Sequence, residues 1–156
     1  MTTAPIPAGY TTLTPFLCVA DAVAAIDFYT TVFGANLVEK MEGPDGTVAH
    51  AELDFGTGRL QLGAPSDDYG ITAPARDADT VTYSIALYCP DVDDVVERAR
   101  NAGATVREGP QDFATGDRFA SLRDPFGVRW TVMTRVEDFT AEERDRRLSE
   151  WAAQNG

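Results

Sequence analysis

The single histidine of this chain, His50, stands two residues before a glutamate, Glu52, in the run Thr-Val-Ala-His-Ala-Glu-Leu-Asp-Phe (47–55). Alternation with a period of two puts Val48, His50 and Glu52 on one strand face and Ala49, Ala51, Leu53 and Phe55 on the other. An imidazole and a carboxylate side by side on one face can couple as a general acid–base pair or hold one metal ion. They can equally satisfy each other as a plain polar pair. Two arginines, Arg59 and Arg129, occupy matching places at the starts of two later strands. A guanidinium there can clamp a carboxylate or phosphate on a ligand, or pair with one of the 25 acidic residues. Phe16, Tyr88 and Met133, with Phe113 and Phe119, offer apolar surface that suits a flat organic ligand and would also suit a core.

Other chemistries find little footing. There is no G-x-S-x-G elbow and no glycine loop of the phosphate-cradling kind, and a nucleophilic triad could be assembled only around His50. Lys40 is the one lysine, so amine chemistry has a single candidate. Cys18 and Cys89 form no C-x-x-C pair, which agrees with a reducing compartment.

The elements that must position these residues are written twice. Moving residues 11–62 forward by 70 positions brings Thr14 onto Ser84, Leu17 onto Leu87, Asp21 onto Asp91, Gly46 onto Gly116, Asp54 onto Asp124, Arg59 onto Arg129 and Gln61 onto Thr131. Such a period is too long for a solenoid unit and too short for two independent domains. The first copy predicts a strand over 13–21, with Leu13, Pro15, Leu17 and Val19 facing one way and Thr14, Phe16 and Cys18 the other. A helix capped by Asp21 and stopped by Gly34 follows, with Val23, Ile26, Tyr29 (or Ala25) and Phe33 as its apolar stripe. Three strands come next, over 37–42, 47–55 and 59–64. Residues 65–80 read as a linker. The second copy predicts a strand over 81–91, a helix with Val92, Val95, Val96 and Ala99 inward and Gly103 as its stop, then strands over 105–108, 118–123 and 128–135. Asp124-Pro-Phe-Gly127 makes the last turn. Thr140 and Glu143 form a capping box for a charged C-terminal helix, about 140–154, in which Leu148 and Trp151 share one surface. The expected fold class is α+β: two paired βαβββ modules (about 10–64 and 81–136) in a single domain, 1–156, plus the terminal helix.

Composition bounds the partners. The net charge is −12, so a basic nucleic-acid footprint is absent. No apolar run is long enough to span a bilayer, and the first ten residues lack a secretory signal pattern. A cytoplasmic protein that binds neither nucleic acid nor membrane is the expectation.

Three stretches carry a family resemblance: D-x-x-x-x-I-D-F-Y-x-x-V-F-G (Asp21–Gly34), P-D-G-x-V-x-H-A-E-L (Pro44–Leu53) and G-D-R-F…R-D-P-F-G-V-R-W (Gly116–Trp130). Over about residues 10–145 the chain resembles the glyoxalase/bleomycin-resistance superfamily, also called the vicinal oxygen chelate (VOC) superfamily, and within it the small bacterial PhnB-like branch. The resemblance implies an open cupped barrel with a ligand cleft on the concave side, and a homodimer. Metal-dependent members place four ligands, His or Gln and Glu, at positions matched here by Thr14, Gln61, Ser84 and Thr131. Three hydroxyls and one amide offer a divalent ion no charge, so no cofactor is expected. The implied function is a metal-free protein that binds or sequesters a small organic molecule, as resistance-type members do. Thr14, Phe16, Arg59, Gln61, Ser84, Tyr88, Arg129, Thr131 and Met133 would line its site. The alternative is a glyoxalase-type lyase, isomerase or dioxygenase that uses His50 and Glu52, with or without a divalent metal.

Overall fold

A computed structural model describes residues 3–156. The chain divides into two compact units, one ending at Asp79 and the other beginning at Thr80. That boundary falls inside the stretch expected to be a linker.

The first unit is β1 (Phe16–Cys18), α1 (Ala22–Phe33), β2 (Asn36–Glu42), β3 (Val48–Asp54) and β4 (Arg59–Gly63). The second is β5 (Ile85–Tyr88), α2 (Val92–Asn101), β6 (Thr105–Asp112), β7 (Asp117–Arg123) and β8 (Arg129–Arg135), followed by α3 (Ala141–Asn155). Each βαβββ module forms one open four-stranded sheet, ordered β1-β4-β3-β2 in the first and β5-β8-β7-β6 in the second. In both, the first and last strands run parallel and the other neighbours are antiparallel. The architecture is the expected α+β repeat.

The repeat is visible atom by atom. Asp21 and Asp91 cap α1 and α2, accepting from Ala24 N at 3.0 Å and from Asp94 N at 3.1 Å. Gly34 ends α1 in the left-handed region, at φ 74°. Val92, Val95, Val96 and Ala99 are the buried stripe of α2, as their spacing predicts. Phe16 pairs with Gln61 in the first sheet and Ala86 with Thr131 in the second, a shift of 70 on both strands. At α3, Thr140 Oγ1 accepts from Glu143 N at 3.2 Å, and Trp151 packs edge-on against Phe113 at 5.3 Å between centroids.

Several expectations are corrected. β1 starts at Phe16 instead of Leu13: Pro15 has no N–H to pair, and Leu13 is left exposed. On α1 the buried residues are Ala22, Ala25, Ile26, Phe28, Tyr29 and Val32, while Val23 is exposed and Phe33 half-buried. β6 runs on to Asp112 because its pairing with β7 skips between Glu108 and Gln111, around Pro110. The stretch 65–80 is not featureless, since Ser66 and Ile71 form an antiparallel bridge.

The correction that matters most lies in β3. Met41 pairs with His50 and Glu42 with Val48, so Ala49 is an extra residue, a β-bulge. The bulge breaks the alternation: Val48 joins Ala51 and Leu53 in the core, and Ala49 is exposed. Gly63 permits this shape, because a Cβ there would lie 2.4 Å from the carbonyl oxygen of Ala49. Among the described residues, no helix is long and apolar enough to cross a membrane.

Candidate functional site

In the first unit one row of partners crosses all four strands: Phe16 on β1, Gln61 on β4, Glu52 on β3 and Glu39 on β2. Direct partners share a sheet face, so the row brings an aromatic ring, an amide and two carboxylates together. Glu52 is its centre and is only 2% exposed. Tyr10 Oη and Arg59 Nη1 both donate to its carboxylate, and Gln61 Nε2 approaches at 3.4 Å. The Arg59 guanidinium also lies 4.5 Å from the Tyr10 ring centroid. Burial alone would raise the Glu52 pKa, but the hydrogen bonds from Tyr10, Arg59 and Gln61 outweigh it and hold the carboxyl below its ordinary value. The same hydrogen bond to Glu52, aided by desolvation, pushes the Tyr10 phenol up.

His50 Nε2 stands 4.0 Å from Glu39 Oε1, and its ring centroid is 6.1 Å from that of Phe16. Glu39, His50 and Glu52 each offer one ligand atom within 4.8 Å of the others. The two residues singled out for acid–base work therefore lie close together, but each has another partner: Glu39 for His50, and Arg59 with Tyr10 for Glu52.

Beside this polar row lies a pocket of about 490 Å³ whose lining includes Phe16, Met41, Ala49, His50, Tyr69 and Ile71. The bulge shapes it by turning Ala49 outward. Tyr69 and Ile71 come from the stretch read as linker, and the Ser66–Ile71 bridge folds that stretch back on itself. Phe16, Met41 and Tyr69 are among the exposed large apolar side chains. Met41, Tyr69, Ile71, Glu39 and Tyr10 were not foreseen. Glu39 and Met41, two apart on β2, share the face of Glu52 and His50, and that period is legible in the sequence. Nothing local marks Tyr10.

The second unit does not repeat the site. Its equivalent row is Ala86, Thr131, Ser121 and Glu108. Ser121 thus stands where Glu52 stands in the first sheet, 69 positions on instead of 70. The cause is the hairpin: Asp54 pairs with Arg59, but Arg123 pairs with Arg129, so the second turn is one residue longer. Tyr88 is exposed, with its hydroxyl 3.3 Å from Asp117 Oδ1. Met133 pairs across the sheet with both Tyr88 and Phe119. Arg129 and Thr131 are half-buried at the start of β8.

Thr14 and Ser84 lie outside the strands, ahead of β1 and β5. Gln61 in the first unit and Thr131 in the second are neutral as well. Hydroxyls and an amide, taken in either unit by itself, do not suit a divalent ion, which needs carboxylate, thiolate or imidazole to offset the cost of dehydration.

The sequence matches the family described as glyoxalase/bleomycin resistance protein/dioxygenase superfamily over residues 9–132. The protein Mb0911c of Mycobacterium bovis is 35% identical over 139 residues, covering 88% of this chain and 91% of that one. Among solved structures, TioX from Micromonospora sp. ML1 superposes with a TM-score of 0.63 at 26% identity, over 80% of this chain and 98% of TioX. A PhnB protein from Bacillus cereus superposes with a TM-score of 0.61 at 19% identity, over 80% of this chain and 99% of its own. With a family match across most of its length and both modules present, the chain belongs to the glyoxalase/bleomycin resistance/dioxygenase superfamily.

Proposed function

We propose that this protein binds a small, largely apolar organic molecule in the pocket of the first unit, without a metal, and holds it without transforming it. The observation that carries this reading is the state of Glu52. Its carboxylate is engaged by Arg59, Tyr10 and Gln61, and the pocket beside it is lined mainly by apolar side chains and by no carboxylate. A pocket of this size and character accommodates an aromatic ligand, with His50 and Ser66 as polar points on its wall. A reducing, cytoplasmic setting is supported by two unlinked thiols, and homodimerisation by the family alone.

The test uses the dye 1-anilinonaphthalene-8-sulfonate, followed by its fluorescence and by thermal unfolding. A ligand at a hundred times its Kd stabilises the folded state by about 2.7 kcal/mol. The wild-type protein should show saturable binding and a raised Tm, and Ala49→Trp, which fills the pocket, should lose both. Equal binding by Ala49→Trp would overturn the pocket assignment. Stoichiometric Zn, Fe, Ni or Mn in protein purified without chelator would overturn the metal-free reading.

A further inference from the structure

Tyr10 occupies its place by chemistry that a ligand could copy. It belongs to residues 3–15, which contain no helix or strand, and with Gly9 it meets Glu52 of β3 and Arg59 of β4. Its phenol donates to Glu52, its ring lies under the Arg59 guanidinium, and its own backbone N–H is satisfied locally by the carbonyl of Pro7 at 3.2 Å. Gly9 fits closely behind it: its φ is +85°, and a Cβ there would lie 2.7 Å from Arg59 Nη2. Beneath are a buried carboxylate and an arginine whose buried Nε has no hydrogen-bond partner among the described residues. This slot and the apolar pocket are neighbours: His50 lines the pocket, and its ligand atom is within 4.8 Å of the Glu52 carboxylate.

We propose that the Glu52–Arg59–Gln61 slot is a binding subsite for an aromatic hydroxyl, and that Tyr10 is its resident occupant, displaced when such a ligand binds. This rests on the reading that the adjoining pocket takes an organic ligand, and it names the polar group that ligand carries. A buried carboxylate left without donors is costly, so whatever displaces Tyr10 must itself donate a hydrogen bond to Glu52. A ring attached to that donor regains the stacking on Arg59. An ether or a bare hydrocarbon regains the stacking alone. The N-terminal segment thereby selects for phenols and against aromatic molecules that lack the hydroxyl.

The experiment compares 2-naphthol with 2-methoxynaphthalene by fluorescence titration of the wild type, Tyr10→Ala, Tyr10→Phe and Gly9→Ala. A site covered about nine-tenths of the time loses about tenfold in apparent affinity to its own cover. Tyr10→Ala should therefore bind 2-naphthol about tenfold more tightly than the wild type and show no comparable gain for 2-methoxynaphthalene. Tyr10→Phe keeps the ring and lacks the hydroxyl, and it should fall between. Gly9→Ala, which strains the backbone at φ +85° and so loosens the segment that carries Tyr10, should change the affinity in the same direction as Tyr10→Ala. If wild type and variants bind 2-naphthol equally, the displacement idea is wrong while the pocket reading stands. An equal gain for the methoxy compound would reduce the slot to plain apolar surface and also sink the proposal. If no variant binds 2-naphthol while 1-anilinonaphthalene-8-sulfonate still binds in an Ala49-dependent way, the subsite is refuted and the pocket is not.

Discussion

Arg59 and Glu52 meet diagonally across the β3–β4 hairpin in an ion pair whose carboxylate is almost wholly removed from water. A pair of this kind is a weak source of net stability while intact, yet breaking it from one side strands a buried charge. Arg59→Ala should lower the urea midpoint more than the double change Arg59→Ala/Glu52→Leu, which removes both charges together. Equal or greater loss in the double variant would show that Glu52 draws its support from Tyr10 and Gln61 instead.

The same carboxylate sets a pH dependence. Its folded pKa is depressed, so its contribution is present above the unfolded value of about 4.3 and is lost as pH falls through the lower folded value. Glu143, held at about 2 by hydrogen bonds from Arg146 and Arg147, acts in the same direction. Wild type and Glu52→Gln should therefore both weaken in acid. Urea midpoints below about pH 4 should fall more steeply for the wild type, because only it has Glu52 to protonate. Parallel curves would contradict the assignment.

The bulge at Ala49 predicts an inversion of the simple alternating pattern. Val48→Ala removes two buried carbons at a site 1% exposed and should cost about 2 kcal/mol, whereas Ala49→Ser should change stability by less than about 0.5 kcal/mol. The opposite order in urea denaturation would put β3 in an unbulged register.

What the sequence made legible and what it hid divide along physical lines. Asp21, Gly34 and the α2 stripe are read from local rules, since caps and helical spacing depend only on near neighbours. The duplication is legible because Phe16–Gln61 and Ala86–Thr131 keep one register. The bulge is not legible, for a single extra residue leaves the composition of β3 unchanged while reversing which of Val48 and Ala49 faces the core. Tyr10 is hidden for a different reason: its partner is 42 residues away, and no pattern around it points there. The candidate site accordingly divides. His50 and Glu52 announced themselves by type, but the groups that decide what they can do, Glu39, Arg59 and Tyr10, come from elements brought close only by the fold.

The two Asp residues that echo each other at the hairpins should part company under mutation. Asp54 Oδ1 accepts from Gly56 N at 2.7 Å and is half-buried. Asp124 opens the longer turn and is 3% exposed; it accepts from Phe126 N, Val128 N and Trp130 Nε1, each at 2.9 Å. A net hydrogen bond is worth about 1 kcal/mol, and donors left buried without a partner cost more. Asp54→Ala should therefore cost about 1 kcal/mol and Asp124→Ala about 3 kcal/mol or more in urea denaturation. Asp124→Ala should also shift the Trp130 emission, because the indole loses its acceptor. Similar losses for both variants would mean that the buried network around Asp124 is satisfied by water once the carboxylate is gone.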